Sequence, residues 1–175
     1  MIQTEKKSNT RTMALAAVFT SLTYVFTAFI NIRLPVTANG GLIHLGNIPL
    51  FIAAITFGSC VGAISGGIGM ALFDLLSGWT VWAPFTLVIV SLMGYIMGKI
   101  TGTAYSLNRI ILAVTAAGTV KIAGYYIAEV LLYGNFAAPL SSIPGNVLQI
   151  SAAAVIVIPI APLLKKAAAG IVHTA

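Results

Sequence analysis

Six apolar stretches follow one another along a chain of 175 residues: Met13 to Ile32, Ile48 to Ser65, Ile68 to Leu76, Ala83 to Ile100, Ile110 to Leu132 and Ile143 to Leu164. A helix needs about 20 mostly apolar residues to cross a bilayer, so six would use roughly 120 residues and leave about 55 for connections. The third stretch is short and is expected to borrow residues from the glycine-rich junction before it. Breaks between stretches are marked by Pro35 and Asn39-Gly40-Gly41, by Ser77-Gly78, and by Gly134-Asn135 with Pro139. Asn47 before Ile48-Pro49 reads as a helix N-cap with proline in the first turn.

Composition agrees with a membrane solvent. The chain is 59% hydrophobic and 7% charged, against roughly 25% charged in soluble proteins. Nine cations and three acids cannot coat a water-facing globule. That excludes a cytosolic enzyme, a secreted disulfide scaffold and a disordered tail. The single cysteine, Cys60, has no internal partner for a disulfide. The expected fold is an all-α integral membrane protein, a bundle of six transmembrane helices forming one domain over residues 1–175. Residues 1–12 form its basic N-terminus and 33–47 an outer loop.

The cations give the orientation. Lys6, Lys7 and Arg11 precede the first span, Lys99 and Arg109 bracket the loop between spans four and five, and Lys165 and Lys166 follow span six. With six spans all seven fall on one side. Arg33 falls on the other, and Lys121 lies within span five. The bias places both termini in the cytoplasm of a multi-pass bacterial plasma membrane protein. The first run is too long for a signal-peptide core and lacks a small-residue cleavage pattern, so it is expected to remain as a helix. The net charge of +6 is thus topological; no basic patch interleaved with aromatics points to nucleic acid.

Glycines at four-residue spacing (Gly58, Gly62, Gly66 and Gly94, Gly98, Gly102) put small residues on one helix face, where backbones approach closely. Gly98-Lys99 resembles the end of a phosphate-binding loop, but Met93 and Ile100 stand where that motif needs glycine and a hydroxyl residue. The chain therefore has no nucleotide site or other cofactor of its own, and any ATP is used by partner subunits.

Ionisable residues inside spans are costly and mark function by default. Asp74, Lys121 and Glu129 qualify. Lys121, Tyr125 and Glu129 share one helix face at i, i+4, i+8, and Asn146 and Gln149 share another at i, i+3. Roughly 12 Å along the axis separates Lys121 from Glu129, too far for a mutual pair. Both faces approach the outer side, as do the loop with Asn39, His44 and Asn47 and the turn with Trp79 and Trp82. Amides, a carboxylate, a lysine, an imidazole and aromatics thus converge at one end, the composition of a small-molecule site. Each has a plainer alternative. The tryptophans and Tyr133 equally suit an interfacial belt, Asp74 a structural cap or pair, and His44 a solvated loop. His173 in the tail is incidental.

Several of these segments together resemble a known family. Gly41-Leu-Ile-His-Leu-Gly-Asn47-Ile-Pro, Phe57-Gly58 with the glycines to Gly69, Asp74-Leu-Leu-Ser-Gly78, Ala83-Pro84-Phe-Thr, Gly124-Tyr125-Tyr126-Ile-Ala-Glu129 with Tyr133-Gly134, and Ile143-Pro144-Gly145-Asn146-Val-Leu-Gln149 are similar to the S components of energy-coupling-factor vitamin importers. The likeness runs over roughly positions 11 to 165 and is nearest to the branch of riboflavin, hydroxymethylpyrimidine and pyridoxine carriers. Asn47 and Val90 depart from it, standing where aspartate and lysine are common.

The resemblance implies a vitamin-binding subunit that docks on a transmembrane T component carrying two ABC-type ATPases and reorients to release its ligand inward. It implies a docking face of small residues on the first helix, here Ala16, Ala17, Thr20 and Ser21. Hydroxymethylpyrimidine or pyridoxine suits the polar set best, with riboflavin next. Two other classes stand beside this one. A partner-independent carrier would use Lys121 and Glu129 as an ion relay; an integral membrane enzyme would lack any metal-binding histidine pair.

Overall fold

The computed structural model describes residues 2–33 and 42–173, with side chains at 10–32 and 42–169. Six α-helices run in order: α1 (Ile2–Phe29), α2 (Asn47–Phe57), α3 (Ser59–Leu76), α4 (Ala83–Thr101), α5 (Leu107–Tyr133) and α6 (Ile143–His173). A 3₁₀ turn (Ala138–Ser142) leads into α6. Five of the helices contain a segment long and apolar enough to cross a membrane; α2 is too short. The all-α membrane fold expected from the apolar runs is what the chain adopts.

The division between the second and third helices differs from that expectation. The break falls at Gly58, so α2 has 11 residues and α3 has 18, whereas the apolar runs placed the long helix first. Gly58 has φ 93° and closes α2 by donating its N–H to the Ala54 carbonyl, a backbone state that glycine adopts without steric penalty. Gly66 and Gly67 lie inside α3 and interrupt nothing. At 1.5 Å per residue α2 is roughly 16 Å long, about half the hydrocarbon thickness. It is buried on nearly every side, with Asn47, Ile48, Pro49, Leu50, Phe51, Ala53, Ala54 and Ile55 all inside, which explains its all-round apolar character.

Helix α3 packs on α4, α1 and α2, α4 on α5, and α2 also on α6. The core they share includes Leu50, Phe51, Val90, Met93, Met97, Ile110, Ala117 and Val157. At the α3–α4 seam the backbones touch: a Cβ on Gly94 would lie 2.3 Å from the Gly62 carbonyl oxygen. The four-residue glycine spacing is the reason no side chain separates these helices.

A short antiparallel hairpin, absent from the all-helical expectation, joins α1 to α2. Strands β1 (Asn31–Arg33) and β2 (Leu42–His44) pair Asn31 with His44 and Ile32 with Ile43. Asn31 also closes α1, its Nδ2 donating to the Thr27 and Ala28 carbonyls at 2.9 and 2.7 Å. Asn47 is not the N-cap of α2. Gly46 holds that position without a side-chain bond, and the Asn47 amide points inward instead.

Of the small residues on α1, Ala16 is 2% exposed and packs with Ala53 and Val61. It belongs to the interior rather than to a docking face, because α1 turns that row toward α2 and α3. Thr20 is partly covered on the same row, while Ala17 and Ser21 are exposed. Replacing Gly94 with leucine is expected to cost about 1–3 kcal/mol of stability by overpacking the seam. Thermal unfolding of the purified protein in detergent measures this, and an unchanged melting temperature would show that the seam opens freely.

Candidate functional site

The C-terminal half of α5 carries Lys121, which is 1% exposed. A buried ammonium needs acceptors, and two side-chain oxygens face it: Gln149 Oε1 at 2.9 Å and Asn47 Oδ1 at 3.5 Å. The Tyr125 ring lies 5.9 Å from the same Nζ. Gln149 works from both ends of its amide. While Oε1 accepts from Lys121, Nε2 donates to the Leu42 carbonyl at 3.0 Å, fastening the hairpin to α6. Helices α2, α5 and α6 and strand β2 thus meet through one lysine and one glutamine.

One turn further along α5, the Tyr125 hydroxyl donates to Thr86 Oγ1 of α4 at 3.1 Å. Thr86 is also hydrogen-bonded to the Asp74 carboxylate at the end of α3, whose buried Oδ2 has no hydrogen-bond partner among the described residues. Trp82 stacks obliquely on Tyr125 and meets Tyr133 edge-on, with ring centroids 6.4 and 6.2 Å away. Another turn along, Glu129 accepts from the Ser142 hydroxyl at 2.8 Å. Lys121 and Glu129 each find a partner on a different segment.

Between these groups lies a cavity of about 90 Å³. Of the residues singled out from the sequence, His44, Trp79, Trp82, Lys121, Tyr125, Asn146 and Gln149 line it. Asn47 and Glu129 do not; they stand behind the wall, Asn47 against Lys121 and Glu129 against Ser142. Asn39 lies outside the described residues. Asp74, Thr86 and Ser142 also line the cavity. Asp74 thus pairs with Thr86, as its structural reading has it, and also faces the cavity; a carboxylate one turn before Ser77-Gly78 is the sequence signal for it. Thr86 and Ser142 carry no signal beyond being hydroxyls at helix starts.

His44 is not a solvated loop residue either. Its Nδ1 accepts the Gly46 N–H at 3.2 Å, which requires that nitrogen to be unprotonated. Burial, with a smaller contribution from nearby Lys121, pulls its pKa well below the usual 6.5. The folded state therefore favours neutral imidazole. Its stabilisation is complete above the unfolded pKa and declines as pH falls below it, because the unfolded chain then takes up the proton first.

An apolar helical bundle with polar and aromatic groups gathered around one cavity at one end is the architecture of a membrane-embedded small-molecule-binding subunit. Comparison with known proteins makes the class specific. A family model described as ECF-type riboflavin transporter, S component, matches residues 7–166, and the chain belongs to that family. Its members are membrane-embedded transporter subunits, not enzymes. The chain is 27% identical over 158 residues, 90% of each sequence, to HmpT, a thiamine precursor transporter of Lactococcus lactis subsp. cremoris (strain MG1363). It is 37% identical over 103 residues, 59% of this chain and 69% of the relative, to an uncharacterized protein in a gap 3′ region of Pyrococcus woesei.

The melting temperature is expected to fall as pH drops from about 7 to about 5, the range in which an unperturbed histidine titrates. His44→Gln should flatten that part of the profile. An identical slope in the variant would remove His44 as the cause.

Proposed function

We propose that the cavity binds a single-ring heteroaromatic vitamin or vitamin precursor, with hydroxymethylpyrimidine first, pyridoxine beside it and riboflavin behind. The observation that carries this is the cavity's size taken with its lining. Its volume of about 90 Å³ is well below the roughly 300–1,000 Å³ of sites for drug-sized ligands, which favours one ring over the three of a flavin. Trp82 and Tyr125 offer aromatic surfaces to a flat ring. Asn146 and Gln149 supply amides, and the Asp74 oxygen without a partner is suited to an exocyclic amino or hydroxyl donor. The likeness to a thiamine precursor transporter supports the same choice.

The substrate enters from outside, and both termini face the cytoplasm. Arg11, Lys99 and Lys165 share a second cavity with Ala168 and Ala169, so the start of α1 and the end of α6 lie at one end of the bundle, the end that gathers most of the cations. Delivery inward follows docking on a T component that carries two ABC-type ATPases, with ATP used only by those partners. The exposed Ala17 and Ser21 form the docking row on α1.

The purified chain is expected to bind hydroxymethylpyrimidine without ATP, followed by quenching of Trp79 and Trp82 fluorescence. Asn146→Ala and Asp74→Asn should each weaken binding about tenfold, in line with 1–3 kcal/mol for an unmet buried polar group. Saturation by riboflavin with no response to the pyrimidine would reject the single-ring ligand. Uptake into liposomes should require the ATPase module; uptake by this chain alone on a proton gradient would favour the ion-coupled carrier.

Docking has its own test. Ala17→Trp should abolish co-purification with the T component while preserving ligand binding, whereas Ala16→Trp should destabilise the chain itself. Normal co-purification of the Ala17 variant would reject the face.

A further inference from the structure

At the end of the bundle opposite the small cavity, a larger one of about 680 Å³ opens among the start of α1, the α2–α3 junction, and the ends of α4 and α6. Its chemistry is asymmetric. Arg11, Lys99 and Lys165 bring three cations to its wall, and none of the described residues that line it is acidic. Deeper along α1 and α2 the lining turns apolar, with Leu15, Ile55 and Phe57. The Thr56 hydroxyl oxygen, also in the lining, is buried without a hydrogen-bond partner among the described residues.

Backbone groups of both signs meet here. Helix α3 begins at this cavity with Ser59 and presents the positive end of its dipole, while α2 and α4 end there and present the negative. Lys165 donates to the Gly102 carbonyl at the end of α4, so the positive character of the wall comes from the three cations. The cations occupy the flanking turns of apolar helices, the depth at which lipid headgroups begin. A free phosphate ion would fill a small part of this volume and leave the apolar wall uncovered. An amphiphile covers both.

We propose that this cavity binds the phosphate headgroup of an anionic phospholipid, the phosphate lying among Arg11, Lys99 and Lys165 and the first methylenes along Leu15 and Phe57. Basic pockets between transmembrane helices bind anionic headgroups by this combination of charge and depth. The site is separate from the vitamin cavity and does not rest on that ligand's identity.

Native mass spectrometry of the full chain, released from mixed micelles of phosphatidylglycerol and phosphatidylcholine, tests the proposal. The wild-type protein should retain phosphatidylglycerol preferentially, and the preference should fall about fivefold for each cation removed. The triple variant Arg11→Gln, Lys99→Gln, Lys165→Gln should retain both lipids equally. If that variant does not fold, Lys99→Gln alone, on an exposed side chain, gives the single-step fall with an unchanged melting temperature. Equal retention of the two lipids by the wild-type chain, or an undiminished preference in the variants, would overturn the proposal. So would loss of the preference in millimolar inorganic phosphate, which would assign the cavity to a soluble anion.

Discussion

A lysine ammonium enclosed by an apolar bundle imposes the constraint on which this site is built. Lys121 can be buried only if oxygens from other segments reach it, and those oxygens come from Asn47 and Gln149. Both partners are neutral amides, and each turns its oxygen toward the lysine nitrogen. Because Gln149 also binds the Leu42 carbonyl, meeting this one requirement fixes the start of α2, the first turns of α6 and the returning strand of the hairpin. The aromatic wall is anchored separately, through Tyr125, Thr86 and Asp74.

This arrangement sorts the polar residues by role. Two groups facing the cavity have capacity left for a ligand: an Asp74 oxygen without a partner among the described residues and the amide of Asn146. Behind the wall, Glu129 is engaged with Ser142 and Asn47 Oδ1 with Lys121. A membrane interior supplies no water to complete unmet hydrogen bonds. Pre-organised polar groups therefore discriminate strongly between a ligand that matches them and one that does not.

Much of this was legible in the chain itself. Apolar runs report helices that lie in lipid, and the scarcity of charge singled out Lys121 and Glu129 as residues needing an explanation. What failed did so for definable reasons. A glycine that ends a helix and one that serves helix packing look alike in sequence; only the dihedral of Gly58 and the close neighbours of Gly66 tell them apart. Three-residue strands have no detectable periodicity. Asn47 has the side chain of a cap, and its capture by a residue 74 positions away is a tertiary fact. Ala16 and Ala17 differ by one residue, a rotation of about 100° at 3.6 residues per turn, which separates interior from exposed surface.

The glycine seam between α3 and α4 has a mechanical consequence. With no side chains between them, the two backbones lie in direct contact along the seam, and the hydrogen bond between Asp74 and Thr86 ties the other ends of the same two helices. Asp74 and Thr86 therefore belong to a single plate. The width of the small cavity is set from the opposite side, by how far α5, α6 and the hairpin stand from that plate. The Gln149 fastening, rather than the wall that carries the carboxylate, then governs how wide that cavity can be.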